Sequence, residues 1–243
     1  MTILYILALV LLIALVSATV ALLWGRKKVQ DYLNTVYGVR DSKGIEILKP
    51  VSIGGIDQWI HVRGRNKDNP ILLFLHGGPC WHHIGWHDAN QRPWENYFTV
   101  VQWDQRQAGK SYMPMKKIGH TISHQQYIND AEEMVAALRE RFRQDKIFLM
   151  GTSYGTYIGM HLAKRRPDWL HAYIGVGQVV NMMEHAATEH RLLKQLAIEK
   201  NDAELVDKLQ ALEPYPDPDN PAKSCYQHSG FLMEEESRYG KSY

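Results

Sequence analysis

"KIFLMGTSYGTYIGMHLAKRRP", residues 146–167, is the stretch that decides the fold. Its first part is a short apolar run typical of a buried strand, and the part after Ser153 has the apolar spacing of a helix that stops at Pro167. Between the two, Gly151 and Gly155 flank the serine. Gly-x-Ser-x-Gly alone is a weak motif, but at a strand-to-helix turn it predicts an exposed serine nucleophile. Side chains at both glycine positions would collide with neighbouring backbone in so sharp a bend. The alternative is an ordinary turn with a capping serine.

"HGGP", residues 76–79, is the second informative stretch, because it directly follows the apolar run "ILLFL". Acyl transfer needs N–H donors aimed at the oxygen on which negative charge develops. At a serine turn of this kind, one N–H comes from the residue after the serine, here Tyr154, and the other from a glycine-rich loop after the third strand. We expect Gly78 rather than Gly77 to supply the second donor. A plain turn is the alternative interpretation.

The order of apolar patterns along residues 45–180 predicts an α/β core. "IEILKPVSI" and "IDQWIHVRG" flank Gly54-Gly55 and predict a hairpin, and Ser123 is the expected N-cap of a helix before the serine strand. Continuous apolar strands alternating with helices indicate a mostly parallel sheet covered on both faces. Residues 181–243 read as helical, with a break near Asn201-Asp202 and a proline-rich turn region after it.

The N-terminus predicts a membrane anchor. Residues 3–24 carry no charge, and about 22 residues at 1.5 Å each span roughly 33 Å, enough to cross a bilayer core. The basic cluster Arg26, Lys27 and Lys28 follows the apolar run, whereas a cleaved signal peptide, the alternative, has its charge in front. We therefore expect a transmembrane anchor over 1–24, a polar juxtamembrane linker over 25–44, and a single-pass protein whose catalytic domain is cytoplasmic.

The bulk composition is that of an ordinary globular domain, with 45% apolar and 22% charged residues. A formal net charge of +2 argues against nucleic acid as a partner. The two cysteines, Cys80 and Cys225, lie far apart and suit a reducing compartment. The cluster Cys80, His82, His83 and His87 matches no common metal-site spacing, so we expect no metal and no cofactor.

Four stretches together resemble the proline iminopeptidase branch of the α/β-hydrolase fold: "HGGP", "WDQRQAGKS" at 103–111, "GTSYGT" at 151–156 and "GVGQVVN" at 175–181. The similarity covers roughly residues 40–200. It implies a serine exopeptidase that releases N-terminal residues, often proline, from peptides, beneath a helical cap inserted after the sixth strand. Residues 181–243 would then form part of that cap.

The resemblance also implies roles for individual residues. Acidic cap residues would bind the free amine of the substrate; Glu184 and Glu189 are the nearest candidates, and a solvated helix face is their alternative explanation. The residues expected to support the loops of the site are His76, Gly77, Asp104, Gln105 and Arg106.

Two positions depart from the family pattern. Cys80 stands where the family's HGGPG has its last glycine, and Gln107 replaces a glycine of DQRGxGxS. If either position has a positive φ, we expect the replacement to cost about 1 kcal/mol or more.

The triad is the part that the sequence does not complete. In this fold the chain order is Ser, then Asp or Glu, then His, and the resemblance places the last two after strands beyond the cap. No strand is predicted after Val176, and Asp217 or Asp219 with His228 has the right order but lies in the predicted cap. We therefore expect the N-terminal part of a longer hydrolase, without the triad Asp and His, and with a bare sheet edge that lowers solubility. The alternatives are a carboxylesterase or amidase of the same fold, and a catalytically inactive membrane-anchored fragment or binding protein.

Overall fold

The computed structural model describes residues 2–85 and 88–240 of the chain. They form two compact units, and the boundary along the chain lies between Gln178 and Val179. The first unit, called the core unit below, contains six strands and, within the described residues, five α-helices. In chain order they are α1 (Thr2–Tyr37), β1 (Ile45–Ile53), β2 (Ile56–Gly64), β3 (Ile71–Leu75), α2 (Asp88–Gln91), β4 (Thr99–Asp104), α3 (Met115–Ile118), α4 (His124–Phe142), β5 (Ile147–Thr152), α5 (Tyr154–Arg165) and β6 (Leu170–Val176).

The six strands form one sheet in the order β1-β2-β4-β3-β5-β6. The first two strands pair as the predicted hairpin, which turns at Gly54 and Gly55, both with positive φ. β2 is antiparallel to β4, and the remaining pairs are parallel. The prediction of a mostly parallel α/β sheet is thus confirmed. Because these four strands are parallel, the C-terminal ends of β3, β4, β5 and β6 all lie at the same end of the core unit.

The centre of the sheet is apolar on both faces. Every residue of β3 and β4 is buried, as the continuous apolar pattern predicts. α4 packs Tyr127, Met134 and Leu138 into this core, and burial of each such side chain stabilises the fold by about 1.5–3 kcal/mol. The side chain of Ser123 accepts a hydrogen bond from the N–H of Gln126 at 3.1 Å, which confirms the predicted N-cap.

β6 is an edge strand of the described sheet. It pairs with β5 through Ile147↔Leu170 to Thr152↔Val176 on one side, and Ile174 and Val176 are 43% and 46% exposed. A partly apolar, unpaired strand edge of this kind favours association with other chains. The effect on solubility stays a prediction.

α1 is a single continuous helix that extends past the predicted anchor. It runs on through most of the predicted linker and ends at Tyr37. Within the described chain it is the helix that is long and apolar enough to cross a membrane, by length and composition alone, and its apolar window is not buried against protein. The polar composition of 25–37 concealed its helical character.

The second unit is helical in its described residues. It contains α6 (Met182–Glu199), α7 (Ala203–Gln210) and α8 (Pro221–Gly240) around a small apolar cluster that includes Leu193, Leu205 and Leu209. The predicted helix break at Asn201-Asp202 lies between α6 and α7, where the Asp202 carboxylate caps α7 by accepting from the N–H of Leu205 at 3.1 Å. Its assignment as a cap domain stays a prediction.

Candidate active site

Ser153 occupies the strand-to-helix turn that its motif predicts. It lies between β5 and α5 with φ +48° and ψ −122°, a backbone conformation that costs about 1–3 kcal/mol in a non-glycine residue. The turn is fixed from both sides: the Ser153 N–H donates to the Val176 carbonyl at 2.9 Å, and the Ser153 carbonyl accepts from the Thr156 N–H at 2.8 Å. The surrounding hydrogen bonds therefore hold the serine in a strained geometry.

The two glycines of the motif are required by contact with backbone. A Cβ at Gly155 would lie 2.1 Å from the carbonyl oxygen of Leu75, and one at Gly151 would lie 2.5 Å from the carbonyl oxygen of Gly155. Both distances are far inside van der Waals contact. The steric reason given for the motif is thus confirmed, and it ties the start of α5 to the end of β3.

The loop after β3 lies directly against the serine. A Cβ at Gly77 would be 3.0 Å from the Ser153 Cβ and 3.6 Å from its Oγ. Gly78 has φ +111°, and a Cβ there would approach the Trp81 amide nitrogen to 2.8 Å. The structure thus places Gly77 against Ser153, with Gly78 next in the same loop. The donor role of Gly78 and Tyr154 stays a prediction.

His76 joins two loops at this end of the sheet. Its Nε2 accepts from the Gln105 N–H at 3.1 Å, so its Nδ1 carries the proton and donates to the Gly77 carbonyl at 2.8 Å. The Gln105 side-chain amide also donates to the His76 carbonyl, at 3.2 Å. Burial lowers the pKa of His76 to about 4, so the ring is neutral at physiological pH.

The Asp104–Arg106 stretch is buried beside this loop. Burial raises the pKa of Asp104, while the N–H of Lys110, which donates to its carboxylate at 2.8 Å, acts in the opposite direction. The Arg106 guanidinium pairs with the carboxylate of Asp130 on α4, with Nε to Oδ2 at 2.9 Å and both side chains fully buried. It also donates to the carbonyl of Gly54, so this ion pair links the loop to α4 and to the β1–β2 turn.

The Arg106–Asp130 pair was not predicted from the sequence. Gln58 and Gln126 complete it by donating to the Asp130 carboxylate at 2.8 and 2.7 Å. A signal was present, since Asp130 lies three residues after Tyr127 and four before Met134 and therefore on the apolar face of α4. A carboxylate at such a position needs a buried partner.

Both family departures fall at positions with positive φ. Cys80 has φ +76° and Gln107 has φ +68°, so the condition for strain is met at each. The Gln107 side chain recovers part of the cost, because its oxygen accepts from the Met113 N–H at 3.0 Å and its amide donates to the Met115 sulfur at 3.0 Å. Burial raises the pKa of the Cys80 thiol, which contacts Tyr127.

The remaining predictions concern two glutamates of the second unit and a possible metal site. Glu184 and Glu189 are both on α6, and burial, together with the charge of Glu236, raises the pKa of Glu189. Their amine-binding role stays a prediction. Among residues 2–85 and 88–240, no three His, Cys, Asp or Glu side chains are grouped as metal ligands, and His87 lies outside the described residues.

Comparison with known proteins gives independent information on the fold and on related proteins. The sequence profile of the α/β hydrolase fold matches residues 70–206, more than half of the chain. A probable aminopeptidase of Bacillus subtilis (strain 168) is 38% identical over 165 residues, which cover 67% of this chain and 51% of the relative. A proline iminopeptidase of Lactobacillus delbrueckii subsp. bulgaricus is 25% identical over 149 residues, 61% of this chain and 49% of the relative. The chain thus spans about half the length of these curated relatives.

A solved structure supports the fold. The crystal structure of a proline iminopeptidase-related protein from Thermus thermophilus superposes with a TM-score of 0.55 at 20% identity. The alignment covers 78% of this chain and 59% of that one.

Proposed function

Because the chain belongs to the α/β-hydrolase fold family, in its proline iminopeptidase-like branch, we propose that Ser153 is the nucleophile of a serine hydrolase. The observation that carries the proposal is the strained serine at the β5–α5 turn, with Gly77 of the glycine-rich loop against it. Ser153 Oγ attacks the substrate carbonyl carbon, and the oxyanion accepts hydrogen bonds from the N–H groups of Gly78 and Tyr154. The N-terminus of α5 adds its partial positive charge at the same place.

The general base stays unassigned, although one candidate histidine can be excluded. A serine hydroxyl needs a base to accept its proton. His76 is excluded, because its basic nitrogen Nε2 already accepts from the Gln105 N–H, its Nδ1 donates to the Gly77 carbonyl, and a pKa lowered by burial to about 4 makes the ring a weak base. Among the described residues of the core unit, no histidine hydrogen-bonds to Ser153 Oγ. The proposal therefore gives this chain the nucleophile and the oxyanion donors, and leaves the triad Asp and His unassigned.

For the substrate, we propose a peptide with a free N-terminus. The relatives named aminopeptidase and proline iminopeptidase support this class. Glu184 and Glu189 would bind the ammonium group, and the raised pKa of Glu189 marks a carboxyl group whose ionised form a bound cation would stabilise. A carboxylesterase or amidase of the same fold is the second candidate, and an inactive membrane-anchored binding protein the third.

For the location, we propose that residues 3–24 of α1 anchor the protein as a single-pass membrane protein. The helix has the required length and apolar composition. The basic residues Arg26, Lys27 and Lys28 follow the span and favour a cytoplasmic position for everything after it.

The test is covalent labelling of the full-length, detergent-solubilised protein with a fluorophosphonate. We expect Ser153 to be modified, Ser153→Ala to be unlabelled, and Ser52→Ala, an exposed serine on β1, to be labelled like the wild type. Hydrolysis of peptides with free and with acetylated N-termini then separates an aminopeptidase from an amidase or esterase. A wild-type chain that unfolds cooperatively but is not labelled would support the inactive binding protein instead.

A further inference from the structure

The core unit has an end opposite to Ser153, at which the parallel strands begin. Strand register places the start of β1 beside the end of β2, the end of β2 beside the start of β4, and the starts of β3, β5 and β6 alongside. Four of the chain connections at this end, with the helix ends that enter them, are 38–44, 65–70, 140–146 and 164–169, and the turn 92–98 before β4 lies here too. We call it the tethered end, because α1 arrives here.

The attachment of α1 to the tethered end is specific. The Arg63 guanidinium donates to the carbonyl of Tyr37, the last residue of α1, at 2.5 Å. The Arg92 guanidinium lies 3.3 Å from the centroid of the Tyr37 ring. The end of the candidate membrane helix is therefore held against this end of the sheet, away from the serine.

The tethered end is positively charged. In its four segments, nine exposed Lys and Arg side chains stand against five exposed Asp and Glu, an excess that is larger than the net charge of +2 for the whole chain. Lys67 and Lys146 are both exposed, and neither makes an ion pair with any described residue. An excess of cations at one end, two of them without an ion-pair partner among the described residues, fits an anionic surface.

Exposed apolar side chains adjoin this charge. Val29, Tyr32, Leu33 and Val36 follow the i, i+3, i+4, i+7 spacing on α1 and are 39–63% exposed. Tyr97, in the turn before β4 and so at the same end, is 71% exposed. Tyrosine and apolar side chains beside cations are the composition of a membrane interface.

We propose that the tethered end lies on the bilayer surface and binds anionic phospholipid headgroups. Twelve helical residues from Arg26 to Tyr37 span about 18 Å, and the headgroup layer takes up about 5–8 Å of this. This leaves a gap of about 10 Å between the headgroups and the tethered end, which is close to the Debye length of about 8 Å. Lys and Arg side chains reach across much of this gap. Tilting of α1 brings the apolar stripe into the interface and the tethered end onto the headgroups, so the Ser153 end faces the aqueous phase.

This inference rests on the proposed anchoring by α1, and its test separates the two. The full chain is placed in nanodiscs of phosphatidylcholine alone or mixed with phosphatidylserine, and lysine acetylation is followed residue by residue by mass spectrometry under single-hit conditions. Each cation near an anionic surface strengthens binding by about fivefold. We expect Lys43, Lys67 and Lys146 to react at least severalfold more slowly with phosphatidylserine present, and Lys116 and Lys117 on α3 to be unchanged.

Charge reversal supplies the matched control. Lys67→Glu with Lys146→Glu should abolish the protection of Lys43, whereas Lys116→Glu with Lys117→Glu, the same charge change on α3, should leave it intact. Salt at about 0.5 M should also remove the protection. Lysine reactivity independent of phosphatidylserine, in a chain that alkaline carbonate does not extract, would overturn the docking and leave the anchor standing. Extraction by alkaline carbonate would overturn both.

Discussion

The neutral state of His76 makes a quantitative prediction about pH and stability. In the folded chain the pKa of His76 is lowered from 6.5 to about 4, because burial excludes water from the ring. Between these values the unfolded chain binds a proton that the folded chain does not, so the free energy of unfolding falls as the pH falls. At about 1.4 kcal/mol per pH unit, the loss from His76 alone is about 3 kcal/mol between pH 7 and pH 4. Above pH 6.5 its contribution is fully present.

The assay is urea unfolding of the full chain in detergent, followed by tryptophan fluorescence across this pH range. Of the 12 histidines all the others titrate too, as do the 26 acidic residues, so the informative quantity is the difference in free energy of unfolding between the wild type and His76→Gln at each pH. Loss of the hydrogen bonds to Gln105 and Gly77 changes the free energy of unfolding of the variant by the same amount at every pH. The His76 titration instead makes the difference between wild type and variant change with pH. A difference that stays constant from pH 7 to pH 4 would refute the assignment of a buried neutral imidazole.

Two further predictions concern stability. Gly155→Ala should lower the free energy of unfolding by about 3 kcal/mol or more, because the added Cβ would overlap the Leu75 carbonyl. The control is Gly119→Ala, whose added Cβ meets only the flexible end of Met115 at 3.5 Å and should change stability by less than about 1 kcal/mol. Thermal unfolding measures both variants, and equal midpoints would contradict the steric argument. Asp130→Asn should cost about 3–5 kcal/mol, because it leaves the buried guanidinium beside it without its carboxylate; urea unfolding measures this, and a loss below about 1 kcal/mol would mean that the ion pair is replaced by other hydrogen bonds.

Much of the core could be predicted from local patterns. The hairpin at Gly54-Gly55, the cap at Ser123 and the turn at Ser153 each depend on residues within a few positions of one another, so periodicity and turn chemistry suffice to place them. The strain at Cys80 and Gln107 followed from resemblance, because the family has glycine where the backbone needs a positive φ.

What could not be predicted depends on contacts between distant segments. The Arg106–Asp130 pair joins a loop to a helix 24 residues away, and nothing in the local pattern identifies the partner of a buried carboxylate. The two hydrogen bonds that Gln105 donates to His76 could not be predicted either, because they span 29 residues. The helical continuation of α1 to Tyr37 was concealed by polar residues around a narrow apolar stripe.

The His76–Gln105 contact also sets a rule for engineering. The loop after β4 donates two hydrogen bonds to the loop after β3, one from the Gln105 N–H to the His76 ring and one from the Gln105 side-chain amide to the His76 carbonyl, and the first of them fixes the histidine tautomer. A graft that exchanged only one of these two loops for that of a relative would leave a buried imidazole or a buried amide without its partner. Loop libraries for altered specificity should therefore be built as two-loop cassettes, in which residues 76–81 and 104–111 are exchanged together.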